Sequence, residues 1–420
     1  MYSLKKLKSG LPVLTASIDG TAAVTVMVFA GAGSRYENQK NRGSRHFLEH
    51  MLLKKKKKYK TTEEVSAAID GVGGDFNAFT GKEYAGYYVK VASEQSELAC
   101  DVLSDMLLHA SFPTEEIDKE RGVIMEEERM YQDTPMYRAG WDFEELLFGD
   151  HPLGWDTIGL ESVINSVQTA DFQKHKDELY TPDNLVLAFA GNIDEKQSSE
   201  FAEKFFTGLK GKKDGAFPAF STYADKRVFL RTKKTEQAHL VLGVPGVGSI
   251  DKDHFAMKLL AVILGGNMSS RMFLRIREAR GLCYYISTET DSYLDAGALT
   301  TRAGVDVSRL EEAITAIRHE YMLCAKEGVT AGELTRAKDY LKGKITLGME
   351  DSEERAHFYG KQLLLYPHVR DIPEYFAEID KVTSEQIDGL AKRLLKSEEL
   401  RLVVIGNEDN QAKFEKMIAG

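Results

Sequence analysis

Apolar and polar positions along the chain change their period repeatedly, from β-rich runs to helical spacings. Residues 76–80 and 84–92 are β-rich and are separated only by Gly81-Lys-Glu, which predicts a hairpin. After Ser93, apolar residues recur at the spacing of a helix: Leu98, Val102, Leu103, Met106 and Leu107. Because strands and helices alternate in this way, we predict an α+β fold in which helices pack on a sheet.

This order of elements occurs twice along the chain. Strand-like runs at 24–30 and at 240–244 are each followed by a Gly-x-Gly-Ser sequence. Near the end of each half, a strand ends in a Gly-Asn pair, and the glycines Gly191 and Gly406 are 406 − 191 = 215 residues apart. A register that is kept over such distances indicates a duplication.

The duplication predicts two halves of similar architecture, at 1–210 and 226–420. Between them, residues 211–225 begin with charged and glycine residues and include Pro218, a composition that is typical of an exposed linker.

The composition is that of a globular protein, with 43% apolar and 29% charged residues. Its net charge of −10 argues against nucleic acid as a partner. The three cysteines are far apart and odd in number, which favours reduced thiols. We see neither an apolar run of about 18 residues, which a membrane span needs, nor the pattern of a secretory signal. We therefore expect a protein that has no membrane span and is cytoplasmic, with a mature matrix-type protein as the alternative.

The first candidate for chemistry is His46-Phe-Leu-Glu49-His50, in a segment that reads as an apolar helix. Two histidines four residues apart lie on one helix face, so both imidazoles can bind one ion. Glu49 lies beside them and can reach a water on that ion without binding it. This arrangement is an inverted zinc motif and predicts a zinc hydrolase with Glu49 as the general base.

A catalytic zinc usually has three protein ligands and one open position, so a third ligand is needed. Residues 115–131 predict a helix with this buried stripe: Ile117, Val123, Ile124, Met130 and Tyr131. Glu120 and Glu127 fall on the stripe, whereas Glu126 falls on the opposite side and Glu128 at its edge. Glu127 is therefore the predicted third ligand, and Glu120 is predicted to orient a ligand or to balance the charge of the metal.

The alternative is that these residues have no metal. Paired histidines are often ordinary surface or core residues, and glutamates are common at helix starts because they complement the helix dipole. The joint pattern favours the metal site, since the chain has only 10 histidines and carboxylates on a buried face are otherwise costly.

These motifs resemble those of the pitrilysin family of inverted-zincin peptidases (M16), in its shorter branch with mitochondrial processing peptidase and its bacterial homologues. The resemblance covers essentially the whole chain and implies one Zn²⁺ per chain and peptide substrates. It also implies that the two halves face each other across a substrate chamber that admits unfolded peptides.

The resemblance assigns roles to further residues. Asn77, Ala78, Phe79 and Thr80 match the family's edge strand, which holds a peptide by main-chain pairing. In the second half, Arg277 and Tyr284 match an element that reaches the substrate carbonyl near the zinc. From their chemistry, Tyr284 could donate a hydrogen bond to the oxyanion and Arg277 could bind a peptide carbonyl. Without the resemblance, an ordinary basic helix end beside a packed tyrosine is an equal interpretation.

The second half is predicted to be non-catalytic, because Met257 and Lys258 align with Glu49 and His50, and Lys344 aligns with Glu127. The chain carries both the zinc motif and the Arg/Tyr element, which favours a homodimer, with a heterodimer with a sister chain as the alternative. We therefore predict a zinc metalloendopeptidase for extended peptides or unfolded segments. The competing hypothesis is a non-catalytic or heterodimer-dependent subunit of a processing-peptidase-like complex.

One departure from the family is the run of five lysines, Lys54 to Lys58, where relatives usually have a short loop that contains glycine. Such a run is usually a solvated surface, and this is the interpretation we adopt. Attraction of acidic peptides is the alternative; salt screens such charges within about 8 Å.

Overall fold

A computed structural model describes residues 2–419 and divides them into two compact units. The first unit comprises residues 2–128, 156–218 and 345–374. The second comprises residues 129–155, 219–344 and 375–419. Each unit is built around one β-sheet with helices packed on it, so the predicted α+β class is confirmed.

The sheet of the first unit has six strands in the order β1-β2-β6-β3-β5-β4. Strands β2 and β6 are parallel, and every other neighbouring pair is antiparallel. The bounds are β1 Ser3–Lys6, β2 Pro12–Ser17, β3 Ala23–Ala30, β4 Asp75–Thr80, β5 Ala85–Ala92 and β6 Leu185–Gly191. Strands β4 and β5 form the predicted hairpin, and β4 lies at one edge of the sheet.

The sheet of the second unit has five strands in the order β7-β11-β8-β10-β9. Its pairings reproduce those of β2-β6-β3-β5-β4, with β7 and β11 as the parallel pair. The bounds are β7 Val228–Thr232, β8 Gln237–Gly246, β9 Cys283–Ser292, β10 Gly297–Asp306 and β11 Arg401–Gly406. Two sheets with one topology bear out the predicted duplication.

The helices of the described residues follow the same repeat. In the first part of the chain they are α1 Ser44–Leu52, α2 Thr62–Asp70, α3 Ser96–His109, α4 Thr114–Asp133, α5 Pro135–Phe148, α6 Glu161–Ser166, α7 Thr169–Leu179 and α8 Glu195–Phe205. Later they are α9 His254–Gly265, α10 Leu310–Glu327, α11 Ala331–Gly348, α12 Ser352–Leu365, α13 Ile372–Lys381, α14 Ser384–Leu394 and α15 Gln411–Ala419. Among these residues, no helix is both long enough and apolar enough to cross a membrane.

The compact units depart from the predicted halves because two equivalent helices are exchanged. Helix α12 begins 352 − 135 = 217 residues after α5, yet α12 packs on the first sheet and α5 on the second. Ala356 and Tyr359 of α12 join Phe29 in the core of the first unit. Gly360 makes this packing close, since a Cβ there would lie 2.1 Å from the ring of Phe29. Each apolar sheet face is thus covered by a helix from the other half of the sequence.

The second unit shows the reciprocal packing. Phe143 and Leu147 of α5 lie in one core cluster with Val241 and Val403 of the second sheet. Asp142 on the same helix is buried and pairs with Arg231 of β7 through two hydrogen bonds of 2.7 and 2.6 Å. Because a buried carboxylate needs such partners, this pair belongs to the packing of α5 on its sheet.

The predicted linker, 211–225, contains neither helix nor strand, and its first residues are exposed. Its central part is anchored: Arg35, which is fully buried, donates a hydrogen bond of 3.0 Å to the carbonyl of Pro218. The guanidinium of Arg35 also lies 4.1 Å from the centre of the Phe217 ring. This part of the segment is therefore held against the first unit.

The predicted stripe of α4 is wrong at two positions. Val123 and Met130 are 50% and 54% exposed, whereas Ile117, Glu120 and Ile124 are buried. At 100° per residue, Val123 and Met130 lie roughly 100° or more around the helix from Ile117 and Ile124. The buried face of α4 is therefore narrower than the sequence suggested.

Candidate metal centre

Helix α1 carries the two predicted histidines, and its N-terminus is held by a residue from outside the helix. The carboxylate of Glu37 accepts hydrogen bonds of 2.8 Å from the backbone N–H groups of Gly43 and Arg45. Gly43 itself has φ of 96°, which glycine adopts without strain. Glu37 therefore fixes the start of the helix that presents the histidines. Burial raises the pKa of Glu37 to about 7.

His46 and His50 face each other on α1, with their Nε2 atoms 3.2 Å apart. Burial, together with the neighbouring His50, lowers the pKa of His46 to about 3. His46 is therefore neutral at pH 7, and a neutral imidazole is the form that binds a metal.

Glu127 of α4 completes the group, because its Oε2 lies 3.6 Å from Nε2 of His46 and 3.6 Å from Nε2 of His50. In a tetrahedral zinc site with bonds of about 2.1 Å, ligand atoms lie about 3.4 Å from one another. The three distances here, 3.2, 3.6 and 3.6 Å, match that geometry. Two imidazoles and one carboxylate are also the ligand set of many catalytic zinc sites, so these residues fit the ion.

Among residues 2–419, the group whose donor atoms lie close enough to one another to hold a metal is this trio. In the second unit, the aligned Lys258 instead donates a hydrogen bond of 3.0 Å to the hydroxyl of Tyr375. An ammonium has no lone pair to offer a metal, so Lys258 cannot act as His50 does in the first unit.

Glu120 contacts the ring nitrogen of His50 that does not face the other donor atoms. Its Oε1 lies 2.9 Å from Nδ1 of His50, and its Oε2 lies 2.6 Å from Nζ of Lys54. Burial raises the pKa of Glu120, but the hydrogen bonds from His50 and Lys54 outweigh burial, so its pKa lies below the usual value. An ionised Glu120 accepts a hydrogen bond from Nδ1–H of His50, which leaves Nε2 of His50 free to bind a metal.

Glu49 lies on α1 between the two histidines and does not belong to the donor trio. Its side chain is largely buried, and burial raises its pKa. The hydroxyl of Thr80, at the end of β4, donates a hydrogen bond of 2.5 Å to Oε2 of Glu49. A carboxylate with a raised pKa and a fixed orientation suits a general base that works near neutral pH.

The contact between Thr80 and Glu49 gives a testable prediction. Thr80→Val removes the hydroxyl and keeps the shape, so Glu49 loses its fixed orientation. We expect kcat for peptide cleavage to fall about tenfold, because removing one such hydrogen bond costs about 1–2 kcal/mol, while KM changes little. Thr80→Ser, which keeps a hydroxyl, should retain most of the activity. A change confined to KM would instead support the predicted role of Thr80 in substrate binding.

The edge strand β4 contains the other residues predicted to bind substrate. The backbone N–H of Ala78 donates a hydrogen bond of 2.9 Å to Oδ1 of the Asn77 side chain. Phe79 packs against Tyr84 and His357, with ring centres 5.7 Å apart in both pairs. Because β4 lies at the edge of the sheet, one side of it is open to pairing with a further strand.

Arg277 and Tyr284 belong to the second unit. Arg277 lies in a π-helical turn, Phe273–Glu278, and its Nε donates a hydrogen bond of 2.9 Å to the carbonyl of Tyr284. Tyr284 is 76% exposed on β9. The backbone contact holds the two residues together, and their role toward a substrate stays a prediction.

The run of lysines after α1 is not the uniformly solvated surface that its composition suggested. Lys56 is 4% exposed, and its ammonium donates hydrogen bonds to the carbonyls of Leu53 and Lys54, at 2.9 and 3.2 Å. Burial lowers the pKa of Lys56 to about 8. Lys58 pairs with Asp101 of α3. The run is thus an ordered loop that follows the histidine helix.

Comparison with known proteins identifies the family. The model described as Insulinase (Peptidase family M16) matches residues 12–147, and the model described as Peptidase M16 inactive domain matches residues 166–341. A Bacillus subtilis protein described as the uncharacterized zinc protease YmxG is 34% identical over 406 residues, 96% of this chain and 98% of that protein. A Streptomyces coelicolor protein, also described as an uncharacterized zinc protease, is 34% identical over 97% of this chain and 90% of its own length.

The chain belongs to peptidase family M16. Two solved structures agree with the M16 fold: a protease from Helicobacter pylori (TM-score 0.87, 21% identity, 97% of this chain and 99% of that chain) and a peptidase M16 inactive domain from Pseudomonas fluorescens (TM-score 0.87, 19% identity, 98% and 99%). The family predicted from the zinc motif is therefore confirmed. The chain is thus a member of a peptidase-type family. The His46–His50–Glu127 trio lies within residues 12–147, which the Insulinase (Peptidase family M16) model matches.

Proposed function

We propose that the chain is a zinc-dependent metalloendopeptidase that hydrolyses extended peptides or unfolded segments of proteins. The observation that carries the proposal is the trio of donor atoms from His46, His50 and Glu127, 3.2–3.6 Å apart, beside the carboxylate of Glu49. When bound there, Zn²⁺ would polarise a substrate carbonyl and lower the pKa of a bound water to about 7.

The chain's own residues would supply the remaining steps. Glu49, oriented by Thr80, would take a proton from the attacking water and give a proton to the leaving amine. Glu120 would keep His50 in the tautomer that presents Nε2. The resemblance adds Tyr284 as a hydrogen-bond donor to the oxyanion and Arg277 as a ligand for a peptide carbonyl.

Substrate binding would use the edge of the first sheet. An extended peptide can add as a strand along β4. A carbonyl of the peptide would then accept a hydrogen bond from the N–H of Ala78, in place of the side chain of Asn77. Since this pairing uses the main chain, it tolerates many side chains, and it requires a segment that is not folded. A chamber formed by the two halves, and assembly as a homodimer or with a sister chain, are further parts of the proposal that rest on the resemblance.

A non-catalytic subunit is the alternative function. A subunit without turnover would not need all of the zinc ligands and the base, and here His46, Glu49, His50 and Glu127 are all present. This retention favours the enzyme.

The purified full chain can be tested with a library of random peptides, with and without a zinc chelator. We expect about one zinc per chain, cleavage at internal bonds detected by mass spectrometry, and loss of cleavage with the chelator. A zinc-loaded chain that cleaves nothing would support the non-catalytic subunit. Size-exclusion chromatography of the active fraction would identify a homodimer, and activity that appears only with a second chain would identify a heterodimer.

A further inference from the structure

Lys54, the first residue of the lysine run, contacts Glu120 beside the candidate metal centre, and the proposed function gives this contact no role. Its side chain is 22% exposed, and its Nζ lies 2.6 Å from Oε2 of Glu120. The side chain of Glu120 is only 6% exposed, and its other oxygen contacts Nδ1 of His50 at 2.9 Å. The three side chains therefore form a chain of contacts that ends on a candidate zinc ligand.

Each contact limits the freedom of the next side chain. With only His50 as a partner, the carboxylate of Glu120 could rotate about its terminal torsion, because that torsion is soft. The ammonium of Lys54 holds one oxygen, so the other oxygen stays directed at His50. A fixed acceptor then fixes both the ring orientation of His50 and the nitrogen that faces the metal.

We propose that Lys54 is a positioning residue of the metal centre, which acts through Glu120 to hold His50 in its metal-binding orientation. This inference rests on the proposed zinc site. It gives one member of the lysine run a defined task that is distinct from surface charge and from the loop contacts of Lys56 and Lys58.

The sign of the effect separates this role from a purely electrostatic one. A positive charge near a cation repels it, so if Lys54 acted only by charge, its removal would tighten zinc binding. If Lys54 acts by holding Glu120, its removal should weaken zinc binding, by about tenfold, the lower end of the effect seen when an outer partner of a metal ligand is lost.

The test measures zinc affinity of the purified full chain by competition with a chromophoric chelator. We expect Lys54→Met to bind zinc about tenfold more weakly than the unmodified chain. Lys54→Arg should retain most of the affinity, since it keeps a cationic donor. Lys57→Met, which removes an exposed lysine of the same run, should change nothing. If Lys54→Met does not fold, Lys54→Gln, which lacks the charge but keeps a polar side chain, carries the same expectation.

A double-mutant cycle of zinc affinities distinguishes this positioning role from a merely structural one. Glu120→Gln should weaken zinc binding, and adding Lys54→Met to it should cause no further loss, because both act through one contact. The absorption spectrum of the Co²⁺-loaded chain should shift in Lys54→Met and not in Lys57→Met. Unchanged or tighter zinc binding in Lys54→Met, or losses that add in the double variant, would overturn the role of Lys54. An unmodified chain that binds no zinc would overturn the proposed function as well.

Discussion

Glu49→Gln is expected to lower kcat for peptide cleavage by about 10²–10⁴-fold, the usual contribution of a general base. The amide has the shape of the carboxylate and can still accept the hydrogen bond from Thr80, but it cannot take a proton from water. Because Glu49 does not belong to the donor trio, the variant should keep its zinc. The measurement is the rate of cleavage of a fluorogenic peptide, with zinc content determined on the same sample.

The matched control is Glu126→Gln, which makes the same chemical change on the exposed side of α4 and should leave kcat unchanged. Full activity in Glu49→Gln would rule out Glu49 as the base. Loss of zinc along with activity would instead show that Glu49 supports the site rather than the proton transfer.

Glu127→Gln is expected to have the second large effect, because it removes the one anionic donor among the three. We expect zinc affinity to fall by more than about 100-fold, beyond the loss that follows from changing an outer partner of a ligand. Peptide cleavage should disappear after dialysis and return only in part at high zinc concentration. Chelator competition and metal analysis of the dialysed protein measure both effects.

Glu126→Gln again serves as the control, since its side chain is exposed beside Glu127 on the same helix. If Glu127→Gln held zinc as tightly as the unmodified chain, the third ligand would have to be another residue, and the proposed site would be wrong.

The sequence was sufficient to predict the donor trio, because the signals that predict it are local. The spacing of His46 and His50 alone places them on one helix face. The helical period favoured Glu127 over Glu126 as the third ligand. The structure brings their donor atoms to distances that suit zinc. The same period failed for Val123 and Met130, since an apolar side chain on a helix need not be buried.

Apart from Glu120, which the helical period placed on the buried stripe, the supporting residues could not be predicted in this way. Thr80 lies 31 positions from Glu49, and Glu37 caps α1 from a preceding loop. Nothing in the local pattern of these residues points to their partners. The composition of the lysine run likewise predicted a solvated surface, although Lys54 and Lys56 each have a defined partner.

By itself, the sequence determined the fold class, several strands and helices, their duplication and the two ligands that share one helix, since periodicity and spacing are properties of neighbouring residues. Only the tertiary structure decided that α5 and α12 exchange sheets, and that a lysine and a threonine support the site. The physical reason is that periodicity marks the apolar face of a helix but does not say which of the two sheets that face will cover. The choice between them, like a hydrogen bond between distant segments, depends on how the whole chain buries its surface.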